Sequence, residues 1–193
     1  MKSDYLENVK KQLENYKTIG EKTFVQLPDE KLFWQYNENS NSVAIIVKHL
    51  WGNMLSRWTN FLTADGETEW QDRNAELTAG IQSRKELLEK WDEGWGCLFN
   101  SINALTENDL IRKVYIRRQE HTVSEAIDIQ LTHYSYYIGQ IVFIGKMISD
   151  HAGSDPGDDS QKNNTDKILT AKPVVNSVEE YLRENRNKFD TTN

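Results

Sequence analysis

Apolar residues recur every three or four positions through four stretches of the chain, and polar residues separate them. This spacing places the apolar side chains on one face of an α-helix, so each stretch predicts an amphipathic helix that faces a core. The first predicted helix runs from Ser3 to Leu27, where Pro28 ends it and residues 28–32 form a short helical turn. Its apolar stripe consists of Leu6, Val9, Leu13, Tyr16, Gly20, Thr23 and Leu27.

The second and third predicted helices begin at favourable N-terminal residues. The second covers Val43 to Leu62 and follows a polar segment that ends in Ser42, a residue type that is favoured at the N-cap. The third begins at Ser83, whose spacing from Glu86 is that of a capping box. Residues 63–80 between the two helices are rich in polar residues and predict a long loop. The stripe of the third helix consists of Leu88, Trp91, Trp95, Leu98, Ile102 and Leu105.

The fourth predicted helix follows a short extended segment. Apolar and polar residues mix over residues 110–119, which predicts a short hairpin. Thr122 and Glu125 have capping-box spacing and open a helix from Val123 to Ser149. Four long amphipathic helices predict an all-α four-helix bundle with a short hairpin before the last long helix. The core face of that helix consists of Ile127, Leu131, Tyr134, Ile138, Ile141 and Ile148.

The composition changes at residue 150. Residues 150–167 are mainly Gly, Asp, Ser, Asn and Gln, a composition that buries too little apolar surface to order itself and predicts an exposed linker. Ser177 is a suitable cap for a last short helix that reaches Lys188. The sequence therefore predicts a bundle domain over residues 1–149, followed by a polar linker and C-terminal tail over residues 150–193.

The charge balance and the single cysteine restrict the partners and the compartment. Thirty acidic residues against 23 Lys and Arg give a net charge of −7, which disfavours nucleic-acid binding. The basic cluster at residues 111–118 fits a solvated hairpin edge. Cys97 has no second cysteine to pair with, and residues 1–7 lack the apolar core of a signal peptide. From the single cysteine and the start of the chain we expect a cytoplasmic protein. We also expect no membrane association, because the apolar runs are too short to span a bilayer.

Polar residues form a column on one face of the second helix and another on the fourth. His49, Asn53 and Arg57 recur every four residues, so they share a helix face. Two such columns that point into a bundle either satisfy each other and fix the helix register, or form a site between helices. The column on the fourth helix consists of His133, Tyr137 and Gln140.

These segments resemble the DinB-like superfamily. Residues 48–58 (K-H-L-W-G-N-M-L-S-R-W), followed by F-L at 61–62 and D-G-E at 65–67, resemble an uncharacterised bacterial branch related to the metal-dependent thiol-transferase bundles. Residues 133–141 (H-Y-S-Y-Y-I-G-Q-I) resemble the signature of the superfamily's last helix. The resemblance covers residues 1–149. It implies a four-helix bundle, often a homodimer, that holds a divalent metal through three histidines.

The resemblance assigns two of the three ligands to histidines and makes Tyr137, at the third position, a weak or lost ligand. One ligand comes from the second helix and matches His49. Two come from the last helix in an H-x-x-x-H-x-x-Q arrangement, of which the first matches His133 and the second falls on Tyr137. His121 is a poor substitute, because it precedes the last helix.

The replacement of a histidine by a tyrosine changes the metal chemistry. A neutral imidazole binds Zn²⁺ or Ni²⁺ without losing a proton, whereas a phenol with a reference pKa of about 10 is deprotonated on binding. We therefore expect weak binding whose affinity falls as the pH drops toward the histidine pKa of about 6.5. We also expect His49, His133 and Tyr137 to converge in the bundle interior, with Asn53 and Gln140 close by.

Two functional hypotheses follow. In the first, the chain is a divalent-metal-dependent thiol transferase with a degenerate histidine site. The metal activates a low-molecular-weight thiol, which attacks an electrophilic substrate. Asn53 and Gln140 orient the reacting groups, and Arg57 lines the pocket. In the second, the bundle is a metal-free small-molecule-binding or scaffold protein without catalysis. Cys97 adjoins Leu98 and Phe99, and its position favours a buried inert thiol over a nucleophile.

Overall fold

The computed structural model describes residues 5–64 and 80–151, and within these ranges the chain is mainly helical. A 3-10 helix, Asp29–Phe33, follows the first α-helix, and another, Glu107–Asp109, follows the third. The predicted all-α bundle with one short hairpin is confirmed. The described elements are α1 (Tyr5–Gln26), α2 (Val43–Trp58), α3 (Arg84–Ala104), β1 (Lys113–Ile116), β2 (Gln119–Thr122) and α4 (Val123–His151).

Three of the predictions lie outside the described residues. They are the start of the first helix at Ser3, residues 65–79 of the predicted loop, and the tail beyond residue 151 with its predicted short helix. Within the described ranges, none of the helices is both long and apolar enough to cross a bilayer.

The core is built around a series of aromatic rings that runs through three helices. α2 packs mainly against α3, and α1 mainly against α4. Phe24 of α1 meets Trp91 of α3 edge-on with ring centroids 4.9 Å apart, and Trp91 lies 5.5 Å from Trp95. Trp95 in turn lies 5.8 Å from Tyr134 of α4. All four rings are almost completely buried, so this series joins the two helix pairs through a large apolar area.

The predicted apolar stripes are the buried faces of the helices, with exceptions on α2. Every residue of the third stripe is buried, and the first and fourth stripes contain only one half-buried residue each, Tyr16 and Leu131. On α2 the spacing predicts one side made of Ile45, Ile46, His49, Leu50, Asn53, Met54, Arg57 and Phe61. Of these, Ile45 is 43% exposed and His49 is also exposed. The buried face of α2 is therefore rotated away from Ile45 and His49, whereas Arg57 at the other end of the predicted column is buried.

The helix starts match their predicted caps. The Ser42 and Ser83 hydroxyls accept hydrogen bonds from the backbone N–H groups of Ile45 and Glu86. The Thr122 box is complete, because Thr122 N donates to the Glu125 carboxylate at 2.7 Å and Glu125 N donates to the Thr122 hydroxyl at 3.2 Å. These bonds satisfy N–H groups that have no partner inside the helix.

The predicted ends of the second and fourth helices were wrong by a few residues. α2 ends at Trp58 and not at Leu62, because Asn60 adopts a left-handed conformation with φ of 52°. The Asn60 carbonyl then accepts from the N–H groups of residues 63 and 64 in a turn. α4 continues to His151, two residues beyond Ser149, so the first two residues of the predicted linker are helical.

The hairpin lies slightly later than predicted, over residues 113–122. Arg117 and Arg118 form its two-residue turn, with φ of 51° and 62°. Arg57 of α2 donates from Nη1 to the carbonyl of Tyr115 at 3.2 Å. This bond joins the hairpin to α2 near the N-terminus of α4.

Candidate metal site

Three aromatic side chains from two helices meet between α2 and α4. His49 of α2 lies 5.3 Å from His133 and 4.6 Å from Tyr137, measured between ring centroids. The His133 and Tyr137 rings, one helical turn apart on α4, lie 4.9 Å from each other. The structure thus brings together the three side chains that the resemblance to the DinB-like superfamily assigns to the ligand positions. We call them the ring triad.

The ring triad lies at the surface of the bundle and not in its interior. His49 is exposed, and His133 and Tyr137 are half-buried. The expectation of an inward-pointing site was wrong because Ile46 and Leu50, which neighbour His49 on α2, occupy the centre of the buried face. A shallow cavity of about 420 Å³ opens here, lined by Ile45, Lys48, His49, Gly52 and Asn53.

Asn53 is held at this cavity by a hydrogen-bond chain that starts in the core. The indole N–H of Trp58 donates to the Tyr134 hydroxyl at 2.8 Å, and that hydroxyl donates to Asn53 Oδ1 at 3.1 Å. Burial raises the pKa of Tyr134, which keeps its hydroxyl protonated as a donor. The sequence indicated Tyr134 only as a core residue. Its position next to His133 was the one signal that it also holds Asn53 at the site.

The surroundings keep both histidines neutral. Burial comes first, followed by repulsion from His49 when that ring is protonated and from the positive charge of Arg117, and together they lower the pKa of His133 from 6.5 to about 4. Although His49 is exposed on one side, the contact of its ring with His133 and Tyr137 removes part of its water, and this partial burial lowers the pKa of His49. In addition, His133 Nε2 is buried and has no hydrogen-bond partner among the described residues. A neutral imidazole with an unused ring nitrogen is the form that ligates a metal.

The spacing of the two imidazoles fits a shared metal ion. A zinc–nitrogen bond of about 2.0–2.1 Å puts an imidazole centroid about 3.2 Å from the ion, so two ligating rings at the tetrahedral angle lie roughly 5.2 Å apart. The observed separation is 5.3 Å. Residues 5–64 and 80–151 contain no group of three or more His, Cys, Asp or Glu side chains that could hold a metal. A metal here would therefore rely on two imidazoles and the phenol of Tyr137.

Comparison with known proteins gives the family of the chain. Residues 1–153 match the model of a family described as "Protein of unknown function (DUF1572)". The chain belongs to the DUF1572 family. Neither the curated proteins nor the solved structures contain a significant match to it. The matched region ends within a few residues of position 150, where the composition changes.

The remaining predicted site residues of this DUF1572 chain lie around the ring triad to different degrees. Asn53 lines the cavity, whereas Arg57 is buried and bonds to the hairpin. Gln140 lies three residues beyond Tyr137 on α4 and is half-buried. His121 is paired with Val114 in the hairpin and is not part of the triad. Sequence reasoning missed Arg117, which it assigned to a solvated basic edge and whose charge acts on His133.

Cys97 of the DUF1572 chain lies at a different cavity. This second cavity, of about 720 Å³, lies between the C-terminal part of α2 and α3, and Trp58 and Cys97 are among its lining residues. Cys97 is half-buried, with Sγ 3.6 Å from the hydroxyl of Thr59 and 4.0 Å from the carbonyl of Met54.

Proposed function

We propose that this protein is a DinB-like bundle that binds a divalent metal ion, Zn²⁺ or Ni²⁺, at the ring triad and promotes transfer of a low-molecular-weight thiol to an electrophilic substrate. The observation that carries the proposal is the convergence of His49, His133 and Tyr137, with ring separations of 4.6–5.3 Å. The unused Nε2 of His133 supports it, because a buried polar atom without a partner is costly unless something binds there.

Each side chain has a distinct role in this proposal. His49 and His133 supply neutral imidazoles, and Tyr137 supplies a phenol as a weak third ligand. When bound, the metal supplies Lewis acidity that lowers the pKa of a coordinated thiol. Asn53, fixed by the chain from Trp58 through Tyr134, orients a polar group of the substrate in the cavity.

The pH dependence of metal binding distinguishes the phenol from the imidazoles. Because the pKa of each histidine is lowered, protons compete for the imidazoles at lower pH than the reference value of about 6.5 implies. Binding through a phenol releases a proton, so the affinity of the wild type rises with pH above neutrality. A histidine at position 137 would remove this dependence, since it is already neutral there.

Isothermal titration calorimetry with Zn²⁺ tests the metal site. At pH 7 we expect Tyr137→His to bind on the order of tenfold tighter than the wild type, because it supplies a third imidazole. Between pH 7 and 8.5 the wild-type affinity should rise while that of Tyr137→His stays nearly constant. Tyr36→His makes the same chemical change at an exposed residue outside the triad and should bind like the wild type. Equal or absent binding in the wild type and Tyr137→His would refute the metal site.

Thiol transfer requires its own assay. The protein loaded with Zn²⁺ or Ni²⁺ should accelerate the consumption of low-molecular-weight thiols by a chromogenic electrophile, and His133→Asn or a chelator should abolish the acceleration. If the protein binds metal but accelerates the reaction of none of the thiols tested, it is a metal-binding protein and the proposed transferase activity is rejected.

A second candidate function is a bundle that binds no metal, and it is favoured by the tyrosine at the third ligand position. A metal-free bundle would use the same cavity to bind a small molecule or serve as a scaffold, with the histidines as hydrogen-bonding groups. Calorimetry that detects no metal binding to the wild type or to Tyr137→His would support this candidate over the metal enzyme.

A further inference from the structure

One face of α4 is apolar and exposed. Ile129, Tyr136 and Phe143 are 41%, 65% and 62% exposed and are spaced by seven residues, which places them in one row along the helix. We call this row the α4 seam. No described residue covers it, although large apolar side chains in a row are unusual on a solvated helix.

The α4 seam also lacks charge. Residues 129–145 contain no Asp, Glu, Lys or Arg, although this segment has exposed positions throughout. Asp128 and Lys146 stand at its two ends. Depletion of charge together with exposed Tyr and Phe is the composition of the centre of a protein–protein interface.

Gly139 is a second indication of a packed partner. Glycine in the middle of a helix costs about 1 kcal/mol relative to alanine. Gly20 and Gly145 avoid contacts that a Cβ atom would make at 2.6 Å, whereas a Cβ at Gly139 would meet nothing within 4 Å. Packing within the described chain therefore does not account for Gly139, but close approach of another helix to its exposed backbone does.

The occupant that fits the α4 seam is a second copy of the same helix. Ile129 and Phe143 lie at equal distances in sequence on either side of Tyr136. In an antiparallel pair centred on Tyr136, each Ile129 meets Phe143 of the second copy, which is the self-complementarity of a two-fold interface. The same arrangement brings the acidic end of one seam, at Asp128, beside the basic end of the other, at Lys146.

We infer that two copies of the chain form a homodimer in which the α4 helices pair antiparallel about a two-fold axis near Tyr136. This interface adjoins the ring triad, because the Tyr136 ring packs edge-on against Tyr137 with centroids 5.1 Å apart. The inference does not depend on metal binding. It turns the homodimer implied by resemblance into a specific surface and register.

Disulfide trapping of the full-length, metal-free chain tests the register. In a Cys97→Ser background, Tyr136→Cys places two thiols at the two-fold axis and should give a covalent dimer on mild oxidation. Ile129→Cys alone should not, whereas Ile129→Cys combined with Phe143→Cys should. Tyr36→Cys is the matched control, since Tyr36 is 68% exposed but lies away from α4. Trapping of Ile129→Cys alone would show a parallel pair and refute the proposed register.

Sedimentation equilibrium of the full chain tests the interface itself. The wild type should have twice the mass of the 22.5 kDa chain, and Phe143→Glu should weaken dimerisation at least tenfold. Tyr36→Glu should leave the dimer unchanged, and circular dichroism should show the same helix content in all three proteins. A wild type that is monomeric at every concentration would overturn the inference. It would be the expected result if residues 152–193 of the same chain, and not a second copy, covered the α4 seam.

Discussion

At the scale of single residues, His133 is neutral because of where it lies. The ring is half-buried, and its neighbours include His49 and the positive charge of Arg117. Both burial and positive charge disfavour the protonated ring. Protonation of His133 therefore destabilises the folded, metal-free protein.

The free energy of unfolding of the metal-free protein should depend on this residue. The folded-state pKa of about 4 lies below the unfolded value of 6.5, so between these values the unfolded chain binds more protons. Stability therefore falls as the pH is lowered from about 6.5 to about 4. We expect a loss of about 1 to 2 kcal/mol from His133, since water around the half-exposed ring screens part of the effect.

Urea denaturation in the presence of a chelator, at pH 7 and pH 4.5, measures this loss. His133→Asn should lose clearly less stability between the two pH values than the wild type. His121→Asn, which changes a histidine of the hairpin, is the control and should behave like the wild type. If His133→Asn shows the same pH dependence as the wild type, the low pKa assigned to His133 is incorrect.

The sequence predicted which residues meet at the site, but not the depth at which they lie. Spacing of four along each helix was sufficient to put His49 on one helix face and His133 with Tyr137 on another. The exposure of His49 depends on how α2 is rotated against the core, and that rotation is set by the packing of Ile46 and Leu50. Contacts between distant residues, such as Tyr134 with Asn53, have no local signature in the sequence.

At the scale of elements, Arg84 joins the end of α1 to the start of α3. Its side chain is only 5% exposed and donates hydrogen bonds to the carbonyls of Phe24 and Leu27. It also forms an ion pair with Asp29 in the following 3-10 helix. The guanidinium therefore satisfies carbonyl groups at the C-terminus of α1, where a positive charge is also favourable.

Arg84→Met should destabilise the protein by about 2 to 4 kcal/mol, because the Leu27 carbonyl loses the guanidinium donor and Asp29 loses its ion pair. The Phe24 carbonyl keeps the Leu27 N–H as a second donor. Arg112→Met is a suitable control, since Arg112 is half-exposed and its main contact is an ion pair with Asp109 three residues away. That variant should change stability by less than about 1 kcal/mol. Thermal and urea denaturation of the two variants measure the difference, and equal losses would show that Arg84 does not link α1 to α3 as described.

The elements themselves were predictable where they are long and periodic. Four apolar stripes and the caps at Ser42, Ser83 and Thr122 were enough to place the helices. The end of α2 was not predictable from its apolar pattern, because Phe61 and Leu62 continue that pattern beyond the turn at Asn60. Phe61 lies in the turn after α2 and is nevertheless buried, so burial alone does not mark the end of a helix.

At the scale of the whole molecule, the bundle leaves two features of α4 on adjacent faces. One face carries His133 and Tyr137 toward α2, and the next carries the α4 seam. Both faces lack the charged residues that usually cover an exposed helix. The proposed metal site and the proposed dimer interface would therefore share one helix, although each is tested separately.

Equilibrium dialysis of the untagged full-length protein against increasing Zn²⁺, followed by elemental analysis of both compartments, tests the metal proposal most directly. Dialysis measures binding without a washing step, so it detects a weak site. The wild type should approach about one bound ion per chain, and Tyr137→His should reach this value at lower free Zn²⁺. His133→Asn should bind much less. If the wild type and His133→Asn retain the same amount of Zn²⁺ at every concentration, the ring triad is not a metal site.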